Sequence, residues 1–165
     1  MKKINEDKMQ TNKVLVLPDI RSALNVGAIF RTSDAVGINK IYLTGYTSTP
    51  IDKFGRARND IAKSALGAEK VIPWEYKKSL SRIISNLKKE KYKIVAIEQD
   101  KKAMDYKKIP LSSKMVFIVG NETEGLKKNI LEKCDYVAEI PMAGMKESLN
   151  VSVATGVALF RILNK

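Results

Sequence analysis

Histidine is absent from this chain. That gap removes Ser-His-Asp and Cys-His hydrolysis and the HExxH metal site together, so any acid–base step falls to Glu, Asp, Lys, Arg, Tyr or water. Cysteine is nearly absent as well. Cys134 stands alone, which excludes an internal disulfide and a CxxC zinc site and leaves a small core hydrophobe as its reading. No apolar run approaches the roughly 18 residues of a membrane span, and the opening MKKINEDKMQTNK has no signal-peptide core, so a cytoplasmic chain is expected. A GxGxxG dinucleotide fingerprint is missing too. Acidic residues are few beside basic ones, 18 against 30, a formal net charge of +12. A chain this basic suits a polyanionic partner, nucleic acid first.

What is present fits one domain. The 165 residues are 44% hydrophobic, enough for a single core and too few for two. Residues 1–12 form a polar head expected to be disordered, and 13–165 form the domain. KVLVLP, NVGAIFRTSDAVG and KIYLTG read as strand, helix and strand. VIPW, SLSRIISNLKKEKY, KIVAIEQ, MVFIVG, KKNILEKC, YVAEIP and SLNVSVATGVALFRILN continue the alternation. Apolar runs alternating with helical spacing predict an α/β fold: a mostly parallel sheet with helices on both faces. The first helix is expected to start at Asn25, capped by Asn25 or Ser22, with Val26, Ile29, Phe30 and Ser33 on one face. The stretch from Gly45 to Asn59 is expected to be disordered. The last helix, opening at a Ser148 cap, is apolar around nearly its whole circumference. It therefore predicts a homodimer through this helix, with deep burial inside one chain as the competing explanation.

Three stretches fall at or just past strand ends, where open α/β sheets bind ligands. They are LPDIRSALNVGAIFRTSDAVG, IVGNETEGL and IPMAGMKESLNVSVATGVALF. Gly120 and Gly125 have the spacing of a phosphate loop, yet Leu126 and Lys127 follow instead of Lys and Ser/Thr, and Glu122 and Glu124 would repel phosphate. Two carboxylates at a backbone-lined turn suit a neutral or cationic ligand.

In this order, the three stretches resemble the motif set of the SpoU/TrmH branch of the SPOUT RNA methyltransferases. Pro18, Asn25, Gly27, Arg31, Thr32, Ala35 and Gly37 match the first motif. Gly120, Glu122, Gly125 and Leu126 match the second, and Ile140 to Ala154 the third. The resemblance spans about residues 13–163 and implies a C-terminal deep trefoil knot, a topology that pattern reasoning would not choose. It implies S-adenosylmethionine as cofactor, touched by Ile97, Glu98, Gly120, Ile140, Met142 and Leu149. It also implies methyl transfer to a ribose 2′-hydroxyl, with Arg31 as principal catalytic residue and Asn25, Glu122, Ser148 and Asn150 assisting. No metal is needed.

Guanidinium stays protonated in proteins, so Arg31 is read as a phosphate binder and stabiliser of the developing alkoxide, not as the base. RNA is expected to be gripped by Lys53, Arg56, Arg58 and Lys63 around Phe54, a candidate stacking ring, with a solvated loop as the bland reading. The short chain favours transfer RNA over ribosomal RNA. A knotted, non-catalytic RNA-binding or ribosome-assembly module is the alternative.

Overall fold

The structure, a computed structural model, describes residues 11–121 and 123–165. Among these residues seven strands form one sheet: β1 Asn12–Pro18, β2 Lys40–Thr44, β3 Trp74–Tyr76, β4 Lys93–Ile97, β5 Met104–Asp105, β6 Lys114–Val119 and β7 Tyr136–Glu139. Their order is β3-β2-β1-β6-β4-β7-β5, and every pairing is parallel. Among the described residues six α-helices complete the fold: α1 Ala23–Val36, α2 Asn59–Ala65, α3 Ala68–Val71, α4 Leu80–Lys89, α5 Lys128–Leu131 and α6 Val151–Ile162. Among the described residues, no helix is long and apolar enough to cross a membrane.

The unbroken apolar runs of β1, β4 and β6 follow from burial on both faces. Strand periodicity then sorts their side chains. Leu15, Leu17, Val95, Ile97, Met115 and Phe117 join a core covered by α1, α2, α3 and α6. Val14, Val16, Ile94, Ala96, Val116 and Ile118 point the other way, to a smaller core under α4 and α5. Cys134 packs at the edge of that second core, where burial pushes its thiol up to about 11, so it has the character of a packing residue. Because β6 lies between β1 and β4, the strand order reverses beside β1 and leaves a crevice at the carboxyl ends, the usual ligand position of such sheets.

The helix α1 carries Val26, Ile29, Phe30 and Ser33 into the core. It begins at Ala23, two residues before the expected Asn25, because the Ser22 hydroxyl accepts from the Asn25 N–H (3.3 Å) and is the cap. At Gly27 it crosses α2 so closely that a Cβ would overlap Ser64 Oγ and the Ile61 carbonyl oxygen and stand 3.1 Å from the Ala65 nitrogen. Two of those obstacles are backbone, which cannot step aside. Gly27→Ala is therefore expected to cost about 2 kcal/mol, visible as a thermal midpoint lowered by roughly 4–8 °C. An unchanged midpoint would mean that the two helices separate freely.

Further sequence expectations are corrected. The segment from Gly45 to Asn59 is ordered: Ile51 and Ala57 form an antiparallel bridge, and the Asp52 carboxylate accepts from the N–H groups of Phe54 (2.8 Å) and Arg56 (2.9 Å). Those bonds, the Arg56 N–H first, hold the Asp52 carboxyl below the usual range. VIPW is not a strand, since Val71 ends α3, Pro73 ends the helical stretch and the strand begins at Trp74. Asn150 caps α6, not Ser148: its side chain accepts from the Ser152 N–H (2.9 Å). Of the expected polar head, residues 1–10 lie outside the described residues, and Asn12 already belongs to β1.

Helix α6 buries Val151, Thr155, Ala158, Leu159 and Ile162. Its opposite side keeps Val153 (50%), Val157 (37%) and Phe160 (42%) exposed. Burial within the chain thus covers one face of this apolar helix and leaves the other open.

Candidate functional site

At the carboxyl ends of β4, β6 and β7, under the start of α6, lies a cavity of about 360 Å³. Val119, Ala138, Val151 and Ala154 supply apolar lining. Around them stand Ile97, Glu98, Gly120, Ile140, Met142 and Leu149, the six residues expected from sequence to touch a cofactor, together with Ser148 and Asn150. Four chain segments between Ile97 and Ala154 meet in this lining only because the parallel order brings β4, β6 and β7 side by side.

The loop after β6 is built around two side chains. Glu98 reaches across with its carboxylate: Oε1 accepts from the Gln99 N–H (2.9 Å) and Oε2 from the Leu126 N–H (3.0 Å). A Cβ at Gly120 would overlap Glu98 Oε2, and one at Gly125, whose φ is +62°, would stand 2.6 Å from it. The two glycines therefore leave room for a carboxylate of the chain itself. The second side chain is Asn121, whose Oδ1 accepts from the N–H groups of Thr123 (3.0 Å), Glu124 (2.6 Å) and Gly125 (3.2 Å). Amides that would otherwise line an anion nest are turned onto this side chain, a physical reason beyond charge for rejecting a phosphate cradle. Glu122, expected to assist catalysis, lies outside the described residues, and Glu124 is exposed.

Asn150 links the first and third motifs. Its Oδ1 accepts from the Ser152 N–H and from Ser152 Oγ (2.7 Å), and its Nδ2 donates to Asn25 Oδ1 at 3.3 Å. The expected catalytic residues Asn25 and Asn150 are thus brought into contact across 125 positions of sequence, and Ser148 shares the cavity with Asn150. Arg31 is not among the lining residues and is exposed on α1.

Lys53, Arg56 and Arg58 sit on the ordered loop before α2, and Lys63 on α2, away from the cavity lining. Phe54 is 68% exposed, with Lys53 Nζ and Arg56 Cζ each 5.0 Å from its ring centroid. Arg56 also pairs with Asp52 (2.9 Å) and Arg58 with Asp60. Sequence reasoning missed Asn121 and Gln99 as parts of the site. An Asn one glycine past a strand end and four residues before a second glycine is the signal that points to a side chain capping its own loop.

The lining suits a compact amphipathic organic molecule: apolar walls for a flat ring, backbone groups for its edge, and the carboxylate of Glu98 in place of a cationic anchor. A profile of the SpoU rRNA Methylase family matches residues 12–160. The 23S rRNA (guanosine-2'-O-)-methyltransferase of Pseudomonas aeruginosa is 34% identical over 152 residues, covering 92% of this chain and 58% of that protein. An AdoMet-bound rRNA methyltransferase from Sinorhizobium meliloti superposes with a TM-score of 0.81 at 28% identity, over 94% of this chain and 57% of the other. A TrmH/SpoU tRNA modifying enzyme from A. aeolicus gives 0.81 and 28% over 94% of this chain and 75% of its own. The chain spans about three-fifths of the length of the curated relatives it matches.

Proposed function

The chain belongs to the SpoU rRNA methylase family, and from that premise we propose that it transfers a methyl group from S-adenosylmethionine to a ribose 2′-hydroxyl of RNA in the cytoplasm. The observation that carries this reading is the cavity lined by Ile97, Glu98, Gly120, Ile140, Met142 and Leu149 with Ser148 and Asn150 at its rim. When bound, S-adenosylmethionine supplies an electrophilic methyl group on a positively charged sulfur. Ile140, Met142 and Leu149 exclude water from it, and the turning of the Thr123, Glu124 and Gly125 amides onto Asn121 is compatible with a cation.

The chain's remaining work is alignment and charge. Asn150, fixed by its bond to Asn25 and by capping α6, and the Ser148 hydroxyl orient the ribose. Arg31 binds a neighbouring phosphate and stabilises negative charge developing on the 2′-oxygen, while the hydroxyl proton leaves to a phosphate oxygen or water. Glu122 positions Arg31 or Asn25. Lys53, Arg56, Arg58 and Lys63 hold RNA outside the cavity, with Phe54 offering its ring to an unpaired base.

The reading extends to the whole domain, residues 13–165, and to a C-terminal trefoil knot, which the placement of β6 between β1 and β4, with β7 beyond β4, supports. It extends also to a homodimer in which Val153, Val157 and Phe160 of α6 meet their copies. Their exposure on an otherwise apolar helix supports this. Phe160→Glu is expected to give a monomer by light scattering, whereas a wild-type monomer would remove the dimer from the proposal. Transfer RNA is the preferred target, with ribosomal RNA the other class represented among the relatives.

The test is transfer of labelled methyl from S-adenosylmethionine to total transfer RNA and, separately, to ribosomal RNA, followed by digestion to nucleosides. A 2′-O-methylnucleoside from one pool is expected. Cofactor binding without transfer to either pool would overturn the catalytic reading in favour of a binding module, and a base-methylated product would overturn the reaction assigned.

A further inference from the structure

A second cavity, of about 220 Å³, opens at the carboxyl ends of β1 and β2, on the far side of the loop that walls the first. Asn121 lines both. Its own walls carry opposite charges: Asp19 and Glu124 on one hand, Lys78 and Lys127 on the other. Asp19 holds a left-handed backbone conformation (φ 55°), and its Oδ1 accepts from the Tyr46 N–H at 3.1 Å. Beside it Tyr46 is 53% exposed, with its hydroxyl accepting from Asn121 Nδ2 at 3.4 Å. An aromatic ring tethered at its backbone and at its far end, and still half open to solvent, is a preset stacking surface. Lys78 also lines a third cavity along α4, where Lys77 and Arg82 stand with Glu75 and Glu90.

We infer that the second cavity holds the base of a nucleotide next to the target ribose, within single-stranded RNA. Tyr46 stacks on the base, and Lys78 and Lys127 hold the phosphates on either side. This rests on the function proposed above, since it makes the cavity a specificity element of that site. The chemistry of the walls selects the base. A phosphate is repelled by Asp19 and Glu124, whereas an exocyclic amino group can donate to the Asp19 carboxylate, so a base bearing an amino group is taken in preference to uracil.

The test uses the full chain and fluorescein-labelled oligocytidylate and oligouridylate of equal length, followed by fluorescence anisotropy. The wild type is expected to bind oligocytidylate about fivefold more tightly. Tyr46→Ala weakens binding of both about tenfold, and Tyr46→Phe recovers most of that loss. The double variant Lys78→Ala/Lys127→Ala lowers the slope of log affinity against log salt by about 1.4 for two phosphates. Asp19→Asn keeps the acceptor for the Tyr46 N–H and replaces one carboxylate oxygen by a donor, so it abolishes or reverses the preference for cytosine. S-adenosylmethionine binding, measured by calorimetry, should stay within about twofold in all variants, since none of the substituted residues lines the first cavity. Wild-type protein that binds neither oligonucleotide, or variants that bind both as the wild type does, would overturn the inference. RNA binding with these effects but without methyl transfer would overturn the catalytic reading and leave this base site standing.

Discussion

Replacing Arg31 by alanine is expected to lower methyl transfer about a thousandfold while the dissociation constant for S-adenosylmethionine stays within about twofold. The separation follows from position. Arg31 is exposed on α1 and does not line the cavity, so its loss removes no wall of the cofactor site, and an exposed polar position costs the fold little. What is lost is a fixed positive charge and a two-pronged donor for a phosphate or a developing alkoxide. Arg31→Lys should recover only part of the rate, because an ammonium restores the charge but not the fork. Single-turnover transfer and calorimetric cofactor binding, measured on the same preparations, decide the matter. Equal losses in both would make Arg31 a structural residue, and full transfer by the alanine variant would remove it from the mechanism.

Gly120→Ala should act in the opposite sense, raising the cofactor dissociation constant about a hundredfold, close to 3 kcal/mol. The added methyl group would overlap Glu98 Oε2 and stand 3.0 Å from the Gly125 Cα. Glu98 would have to release the Leu126 N–H, and the loop it braces would shift into the cavity. The same substitution in a Glu98→Ala background should cost far less than the sum of the two single changes, since the second removes the group that the first collides with. Strict additivity, read from calorimetry on the four proteins, would mean that the carboxylate does not brace this loop.

Much of this architecture is legible in the chain itself. The runs VLVL, IVAI and MVFIV read as strands buried on both faces, because no charged residue interrupts them to face water. The spacing of Val26, Ile29, Phe30 and Ser33 defines the buried face of α1, which the fold respects residue by residue. Less visible was α2. Arg58 precedes it and makes no side-chain capping bond, so the local signal that announces α1 at Ser22 and α4 at Ser79 is missing there. The loop from Gly45 to Asn59 looked mobile because its polar and glycine content is that of a solvated connection. Its order comes from the Asp52 carboxylate folding back onto two N–H groups and from the bridge between Ile51 and Ala57.

By itself, then, the sequence determined the strand and helix alternation, the absence of histidine chemistry, and the three motifs that mark the family, since each of these is a property of neighbours along the chain. Tertiary structure decided the rest. Only the strand order sets Asn25 against Asn150 across 125 positions, aims the Glu98 carboxylate at Gly120 and Gly125, and leaves one apolar face of α6 open while burying the other. Such contacts depend on where distant segments come to lie, and no local periodicity encodes that distance.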